Sequence, residues 1–430
     1  MGRDQRMVLA VASLGHALCH VSTLILQQVI FEASRDLGMA GIGWLVTLGA
    51  LLMGFGAIPA GLLGDRYGAR RVYQAYLALL AVAAGAAAAA PDARIFVPAV
   101  ALIGIAASLH HPVGLAWISE AIPQARPKAL GIHGFVGHFG STLAPLLVLR
   151  LHEGVGWRHA YTVIAAAAAL LLVLLRATPV TAGEGEGRER AAVAGGTGSG
   201  WRLALVPAIV VLLVVMTPAG LVHQGFWATW TSFVKDEVGA TPPVGPDPPE
   251  LTLAPLAARA QEALPGWLLG RAGTGEGSLG PVAGALATLV LVFGSVGELV
   301  GGWWARRGGS LPLYAVMNFM SALGLAGLCF LRGTALLAAG ALFAFFHFGA
   351  QPVENDLVAR RSAPGVRGLA YGLKFVVTFG IGSLAATPVI AGWQSVGFEP
   401  VFAALAGLTF AGVIATVWLA QRERRGAAAS

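Results

Sequence analysis

The chain has 430 residues, of which 56% are hydrophobic and only 11% are charged, and its mean hydropathy is +0.73. This exceeds what a water-soluble globular protein carries and indicates a polytopic membrane protein. The net charge of +7 does not indicate nucleic-acid binding, because the basic residues lie in short clusters between apolar runs, where they orient loops. Cys19 and Cys329 both lie inside apolar runs, so no disulfide framework is implied.

Apolar runs of membrane-spanning length recur along the whole chain. A bilayer core about 30 Å thick needs about 20 helical residues, because each residue advances a helix by about 1.5 Å. Twelve runs meet this length and predict an all-α membrane protein with twelve transmembrane helices. They fall near residues 7–31, 42–63, 72–90, 95–119, 129–149, 159–176, 203–233, 281–304, 311–331, 334–353, 369–392 and 398–420.

Two segments interrupt this series. Residues 178–200 are rich in Gly, Glu and Arg, which is typical of a flexible linker. The linker predicts an N-terminal six-helix bundle over 1–177 and a C-terminal six-helix bundle over 201–430. The second segment, at about 236–280, is too long for a tight loop and predicts an extracytoplasmic insertion. A tolerated surface insertion is favoured, and a short amphipathic helix over 251–264 is the alternative.

The orientation follows from the distribution of Lys and Arg. With the N-terminus inside, the inner segments hold nineteen basic residues and the outer segments eight. Because inner loops carry the excess of positive charge, we expect both termini and the linker to be cytoplasmic. The predicted location is a cell membrane, specifically a bacterial inner membrane.

The chain also contains an internal repeat. A shift of 240 residues aligns three separate places, and one constant offset at three places predicts two pseudo-symmetric six-helix units. In such an arrangement a substrate site forms near the midplane between the units. The aligned residues are Gly61 and Gly68 with Gly301 and Gly308, His110–Val113 with Ala350–Val353, and Phe139–Gly140 with Phe379–Gly380.

A charged stretch between the second and third runs carries a motif. Gly61–Arg71 reads Gly-Leu-Leu-Gly-Asp-Arg-Tyr-Gly-Ala-Arg-Arg. It resembles the loop 2–3 signature of the major facilitator superfamily, G-x-L-a-D-r-x-G-r-K/R, with Ala69 where Arg is usual. The repeat partner of Asp65 is Ala305, so the acid belongs to one half only.

The resemblance implies a secondary transporter that works by alternating access, as a monomer in the lipid bilayer and without a cofactor. It also implies a conformational switch loop formed by Gly61, Asp65, Arg66, Gly68 and Arg70. In the family the signature acid contacts the inner end of helix 11 and steadies the outward-facing state, which here places Asp65 near Arg367–Leu369. A carboxylate is favourable at a helix N-terminus. A purely topological role of the loop is the alternative.

A looser likeness is to the fosmidomycin-resistance-like branch of the superfamily. It is suggested by the His-Pro pair at 111–112 in helix 4 and by the glycines of helix 5. The antiporter signature expected in helix 5 is incomplete, because Gly140–Pro145 lacks the Gly-Pro pair and the closing glycines. This departure weighs against drug/proton exchange.

Polar side chains inside the spans are the candidate cavity residues. A central charge costs about 2.5–3.5 kcal/mol on insertion scales, so such groups usually face water or a partner. In helix 1 they recur at steps of three or four and form one stripe, whereas helices 3, 6, 9 and 12 carry few and are expected to lie outside. The candidates are His16, His20, Gln27, His110, His111, His138, His223, Gln224, Trp227, His347, Gln351, Tyr371 and Lys374.

Three charged residues lie within the spans of the second half. Lys374 with Glu298 is predicted as a structural pair; alternatively Lys374 attracts an anionic substrate while Glu298 or Glu354 carries a coupling proton. Glu354 could also lie simply at the membrane interface, since Asp356 and Arg360 follow closely. The histidines could relay protons because imidazole titrates near neutral pH.

An enzyme is not predicted. His16 and His20 form an HxxxH pair, but the HxxHH box that membrane di-iron desaturases also need is absent from the sequence. Two histidines at i and i+4 could also bind a metal ion, or haem with a partner across the bundle, but neither a metal nor a haem site is predicted. The predicted function is proton-coupled secondary transport of a small organic solute, with a mild preference for an organic anion. The alternatives are a drug/proton efflux antiporter and a membrane ligand sensor that does not transport.

Overall fold

A computed structural model of the protein describes residues 1–39, 44–179, 182–183, 207–239, 279–307 and 310–429. Most of the predicted linker (178–200) and of the predicted insertion (236–280) lies outside these ranges. Within them the chain is almost entirely helical, because its apolar runs satisfy their backbone hydrogen bonds internally, as a bilayer requires.

Twelve long helices follow one another through the described ranges. Eleven are long and apolar enough to cross a membrane, and the remaining one, α5, has 30 residues. The prediction of an all-α, multi-pass membrane protein with twelve helices is confirmed. The helices are α1 (Arg3–Asp36), α2 (Trp44–Tyr67), α3 (Ala69–Ala89), α4 (Ala93–Ala121), α5 (Arg126–Val155), α6 (Arg158–Ala177), α7 (Pro207–Gly239), α8 (Leu279–Trp304), α9 (Ser310–Phe330), α10 (Gly333–Arg361), α11 (Arg367–Val396) and α12 (Phe398–Ala429).

α11 is not a uniform helix. It begins as an α-helix over Arg367–Phe375, passes through a π-helical segment at Val376–Ile381, and resumes as an α-helix over Ala386–Val396. π-Helical segments are rare and are frequently found at functional sites. The sequence pattern did not predict this interruption.

The charged stretch at 61–71 was predicted as a loop, and this is wrong. α2 continues to Tyr67 and α3 begins at Ala69, so Gly68 alone separates the two helices. Gly68 has φ of +89°, a left-handed value that favours glycine. The signature therefore occupies the end of one helix and the start of the next, and its side chains are held by helical backbone.

The internal repeat is visible in the helix boundaries. α10 (Gly333–Arg361) repeats the bounds of α4 (Ala93–Ala121) 240 residues further along the chain. Both helices carry a proline at the same relative place, Pro112 and Pro352, and each proline removes one backbone hydrogen bond from its helix. The two halves of the chain are thus pseudo-symmetric, as the sequence offset predicted.

The halves meet along two crossings that the repeat relates to each other, α2 with α11 and α8 with α5. A Cβ atom on Gly61 would lie 2.1 Å from the carbonyl oxygen of Gly368, and one on Gly131 would lie 3.0 Å from the Cα of Gly302. Glycine at these places lets the helices approach to backbone contact. Both crossings are therefore sensitive to any added side chain.

The helices with few polar residues lie outside, as predicted. α3 packs against α6, and α9 packs against α12. They leave large apolar side chains exposed, such as Val82, Leu170, Val316 and Ile414. In a membrane these side chains face lipid.

The two ends of the helix bundle need names. The terminal face is the end where α1 begins and α12 ends. There the Gln5 amide on α1 donates to the carbonyl oxygen of Ala121 at the end of α4, over 2.8 Å. At the other end, called the opposite face, the Trp157 indole donates to Asp36 over 2.8 Å, which joins the end of α1 to the start of α6.

Candidate functional site

A cavity of about 450 Å³ lies between the two halves, toward the opposite face. Its α2 residues come from 45–53, near the end of α2 that starts at that face. A smaller space of about 50 Å³ lies below it, toward the terminal face, and we call this the cavity floor. His20, His138, His223 and Phe379 line both spaces.

The helices that line the two spaces are those the polarity pattern predicted. Side chains come from α1, α2, α4, α5, α7, α8, α10 and α11, and α6 adds Tyr161 at the rim. Predicted residues that line the floor or the larger cavity are His16, His20, Gln27, His111, His138, His223, Gln224, Trp227, Gln351 and Lys374.

His16 occupies the centre of the floor. Its Nδ1 lies 3.0 Å from the carbonyl oxygen of His133, and because a carbonyl only accepts, Nδ1 carries the proton. The other ring nitrogen, Nε2, lies 3.0 Å from Nε2 of His20. The imidazole of His111 also lines the floor, and its Nε2 is 3.6 Å from the Cys19 sulfur.

Three of the predicted cavity residues lie elsewhere. His110 is fully buried behind His16, with Nδ1 3.0 Å from the Tyr73 hydroxyl. His347 is buried 3.3 Å from Nδ1 of His223 and supports that ring. Tyr371 lies below the floor. These three residues therefore do not line the floor or the larger cavity, because each side chain lies in helix–helix contacts.

The ion pairs differ from the predicted one. Lys374 pairs with Glu354, whose carboxylate lies 3.2 Å from Nζ, and not with Glu298. Nζ also donates to Asn355 over 2.6 Å and to Gln351 over 3.4 Å. Glu354 is buried, so its alternative placement at the membrane interface is also wrong. Lys374 and Glu354 share a buried polar network near the floor.

Glu298 has another partner. Its carboxylate lies 3.0 Å from Nδ1 of His138, across the crossing of α8 with α5. A Cβ on Gly134 would lie 2.6 Å from this carboxylate, so α5 offers a glycine where Glu298 enters. The pair connects the two halves of the chain within the floor.

The terminal face is closed by polar contacts between the halves. The Asp65 carboxylate accepts hydrogen bonds from the backbone N–H groups of Gly368 and Leu369, each over 2.8 Å. These N–H groups lie in the first turn of α11, where a carboxylate is favourable. This is the contact that the family resemblance predicted for Asp65.

Two further contacts close this face. Nε of Arg126 on α5 lies 2.7 Å from the fully buried carboxylate of Asp356 on α10. The Tyr371 hydroxyl donates to the Asn355 carbonyl over 2.8 Å, so the Ser119 hydroxyl, 3.0 Å away, donates to Tyr371. Sequence reasoning named Tyr371 only as a cavity residue and assigned no closing contact to Arg126, Asp356 or Ser119.

The basic residues of the signature do not join the halves. Arg70 donates to the carbonyl oxygens of Leu175 and Thr178 and so holds α3 to the end of α6. Arg66 is exposed and lies over the ring of its neighbour Tyr67. Asp65 and the close-packed Gly61 are the signature residues seen to contact the second half.

The chain has recognisable relatives. A family model described as "Major Facilitator Superfamily" matches residues 11–260. The multidrug resistance protein Stp of Mycobacterium tuberculosis is 29% identical over 167 residues, which is 38% of this chain and 31% of that protein. The chain thus matches about a third of the length of this curated relative.

Solved structures share the fold over nearly the whole chain. FucP, a transporter of the superfamily in the outward conformation, superposes with a TM-score of 0.70 at 16% identity, covering 97% of this chain and 99% of FucP. FucP is the fucose:proton symporter of E. coli. The human organic anion transporter MFSD10 superposes with a TM-score of 0.65 at 17% identity, covering 97% and 100%.

Proposed function

Because the chain belongs to the Major Facilitator Superfamily, we propose that it is a secondary transporter that moves a small organic solute by alternating access. The observation that carries this proposal is the cavity between the halves, which is present toward the opposite face while Asp65, Arg126 and Tyr371 close the terminal face. A cavity accessible from one side and sealed on the other is one half of an alternating-access cycle.

The conformation described is then the outward-facing one. The excess of Lys and Arg at the terminal face supports a cytoplasmic location of both termini, in a bacterial inner membrane. The Asp65 contact with the first turn of α11 steadies this state, since it exists only while the two halves meet at the terminal face. The protein acts as a monomer, with each chain enclosing its own cavity. Membership of the fosmidomycin-resistance-like branch stays a prediction.

The solute is an organic anion. Lys374 lines the floor, and its Nζ already makes three polar contacts, with Glu354, Asn355 and Gln351. Protonation of Glu354 would release the positive charge of Lys374 for a bound carboxylate. The imidazoles of His20 and His223 and the indole of Trp227 add donors and aromatic surface to the larger cavity.

Protons drive the transport through the buried pairs. The acidic groups near the floor are Glu298 and Glu354. The carboxylate of Glu298 pairs with His138, and that of Glu354 pairs with Lys374, so each ion pair is lost when its carboxylate is protonated. A proton that neutralises either carboxylate weakens a contact that holds helices together. The protonation of these carboxylates is thereby coupled to the conformational change between the two halves.

Counterflow and gradient-driven uptake in proteoliposomes test the proposal, with a panel of labelled aliphatic and aromatic carboxylates. We expect uptake that is accelerated by an imposed pH gradient, and Glu298→Gln should retain exchange but lose accumulation. If collapse of the pH gradient leaves uptake unchanged and Glu298→Gln and Glu354→Gln both leave it intact, coupling through these groups is wrong. Specific binding without counterflow under any gradient would instead indicate a ligand sensor.

A drug/proton efflux antiporter is the second candidate. It is supported by the similarity to Stp and by apolar side chains in the larger cavity, including Leu26, Met53 and Ile103. Efflux of ethidium from energised cells that express the protein tests it. Ethidium efflux that is sensitive to an uncoupler, together with no carboxylate flux, would favour efflux over anion transport.

A further inference from the structure

Three histidines at the cavity floor have ring nitrogens close enough together to bind one metal ion. His16 and His20 lie one turn apart on α1, and His111 faces them from α4. One ring nitrogen of each lies within 4.8 Å of the others. A tetrahedral zinc ion with Zn–N distances of 2.0–2.1 Å would hold two nitrogens about 3.3 Å apart, so small side-chain movements bring the three to bonding distance.

The ring orientations support convergence at this cluster. An imidazole lone pair lies in the plane of its ring, so one ion can bind several rings only where the ring planes meet. The planes of His16 and His111 meet at 89°, those of His20 and His111 at 67°, and those of His16 and His20 at 43°. Inclined planes of neighbouring rings cross one another, so this arrangement is compatible with one ion bound by all three rings.

A neighbouring cluster lacks this property. His16, His110 and His133 also bring ring nitrogens within 4.8 Å of one another. Their rings are stacked, however, with interplanar angles of 14–24°. Lone pairs in nearly parallel planes do not converge, so this second cluster packs and does not ligate.

The tautomer of His16 also fits ligation. Its Nδ1 proton is donated to the His133 carbonyl, which leaves an unprotonated Nε2 directed at His20. Metal-binding histidines nearly always donate their other ring N–H to a carbonyl or carboxylate in this way. The backbone of α5 thus orients the ring that lies between the other two ligands.

Charge and access are favourable as well. Lys374 is balanced by Glu354, and Glu298 adds a carboxylate to the floor, so a divalent cation would not meet uncompensated positive charge. His20 is half-buried and lines both the floor and the larger cavity, which provides the entry path. Imidazole ligands suit zinc, copper and nickel, whereas magnesium and calcium prefer oxygen.

We propose that His16, His20 and His111 bind a divalent transition-metal ion of the zinc class at the cavity floor. This departs from the prediction of no metal site and does not depend on the identity of the transported solute. With three protein ligands, the ion keeps a coordination position for water or for a donor atom of a solute in the cavity. The floor then selects for metal ions or for metal-bound anions.

Direct titration in detergent tests the site, on protein purified through an affinity tag that contains no histidine. Zn²⁺ binding is measured by calorimetry, and Co²⁺ binding by its visible d–d absorption, which is intense only for low-coordinate sites. We expect one ion per chain with a dissociation constant in the micromolar range or below. His20→Ala should weaken binding at least tenfold, and His111→Asn should do the same.

Two variants control for other histidines. His159→Ala removes an exposed imidazole on α6 and should leave binding unchanged; His110→Gln should also leave it unchanged, because that ring belongs to the stacked cluster. Thermal unfolding verifies that each variant is folded. His20→Gln, which keeps the side-chain volume, replaces His20→Ala if the latter does not fold.

Several outcomes would overturn the assignment. One is a wild-type protein without stoichiometric binding. Another is binding that survives both His20 and His111 variants but is lost in His110→Gln, which would place the ion in the stacked cluster. Since the titration needs no gradient and no solute, its failure leaves the transport proposal untouched, and failure of transport leaves the metal site standing.

Discussion

The Asp65 carboxylate on α2 accepts a 2.8 Å hydrogen bond from the backbone N–H of Gly368, more than three hundred residues away in the sequence, in the first turn of α11. Its second oxygen accepts from the next N–H. Both oxygens are thus committed to one helix N-terminus in the other half. This contact connects the signature of the first half to the helix that carries Lys374.

Asp65→Asn should slow transport about tenfold, without loss of membrane insertion. The two N–H groups bond to different carboxylate oxygens, and asparagine replaces one of these oxygens by an NH2 group, which can only donate. Hydrogen bonds to charged groups are worth about 1.5–3 kcal/mol. The measurement is the initial uptake rate in proteoliposomes with matched protein content. Arg66→Gln is the control and should transport normally, since Arg66 is exposed beside the same helix end. Loss of insertion in Asp65→Asn would show a topological role instead.

Gly61→Ala should abolish transport by holding the terminal face apart. A Cβ at this position would lie 2.1 Å from the Gly368 carbonyl oxygen, so α2 and α11 must separate. Gly85→Ala is the matched control, because nothing lies within 4 Å of the added Cβ and alanine favours helix by up to about 1 kcal/mol. Uptake and thermal unfolding are compared for both. Normal uptake by Gly61→Ala would show that the close crossing is dispensable.

Asp356→Asn should destabilise the protein by about 3–5 kcal/mol, because it leaves Arg126 buried without its counter-charge. Arg360→Gln should cost less than about 1 kcal/mol, although Arg360 also contacts Asp356, since its side chain is half exposed. Unfolding temperatures in detergent give the comparison. Because Asp356→Asn removes both contacts, equal losses in the two variants would mean that the contact between the halves adds no stability.

Lys374→Met should abolish transport and lower the unfolding temperature, because it leaves the Glu354 carboxylate buried without its cation. The double variant Lys374→Met/Glu354→Gln removes both charges and should recover most of the stability. It should not recover carboxylate transport, since the cation that attracts the anion is missing. Recovery of both properties together would assign Lys374 a purely structural role.

The fold was predictable from the sequence to a large extent. The apolar runs predicted the helices, because hydropathy is a property of the local sequence. The constant offset predicted the two related halves, because a repeat can be recognised by comparing the sequence with itself. The ends of helices were less predictable: α7 reaches Gly239 and α12 reaches Ala429. Both helices continue as polar turns beyond their apolar runs, so a helix predicted from hydropathy alone ends too early.

For the site, the sequence could predict which side chains share a helix face, but not which side chains of other helices they contact. Helical spacing fixes which residues share a face, so the polar stripe of α1 grouped His16 and His20, and both side chains line the floor. The prediction of Glu298 as the partner of Lys374 was wrong. Glu298 and Glu354 are both acidic residues on spanning helices, so the sequence does not distinguish between them. Only the packing of α8 against α5 turns Glu298 toward His138 and leaves Glu354 to Lys374.

The free energy of the contacts at the terminal face can be compared with the energy that the membrane voltage supplies. A unit charge that moves through 100 mV releases about 2.3 kcal/mol. That is the size of a single charge-assisted hydrogen bond, about 1.5–3 kcal/mol, such as those that Asp65 accepts from Gly368 and Leu369. In the proposed proton-driven cycle, one proton would therefore supply enough work to break one such contact. A bound solute would need only a comparable difference in affinity between the two conformations to shift the protein from one to the other.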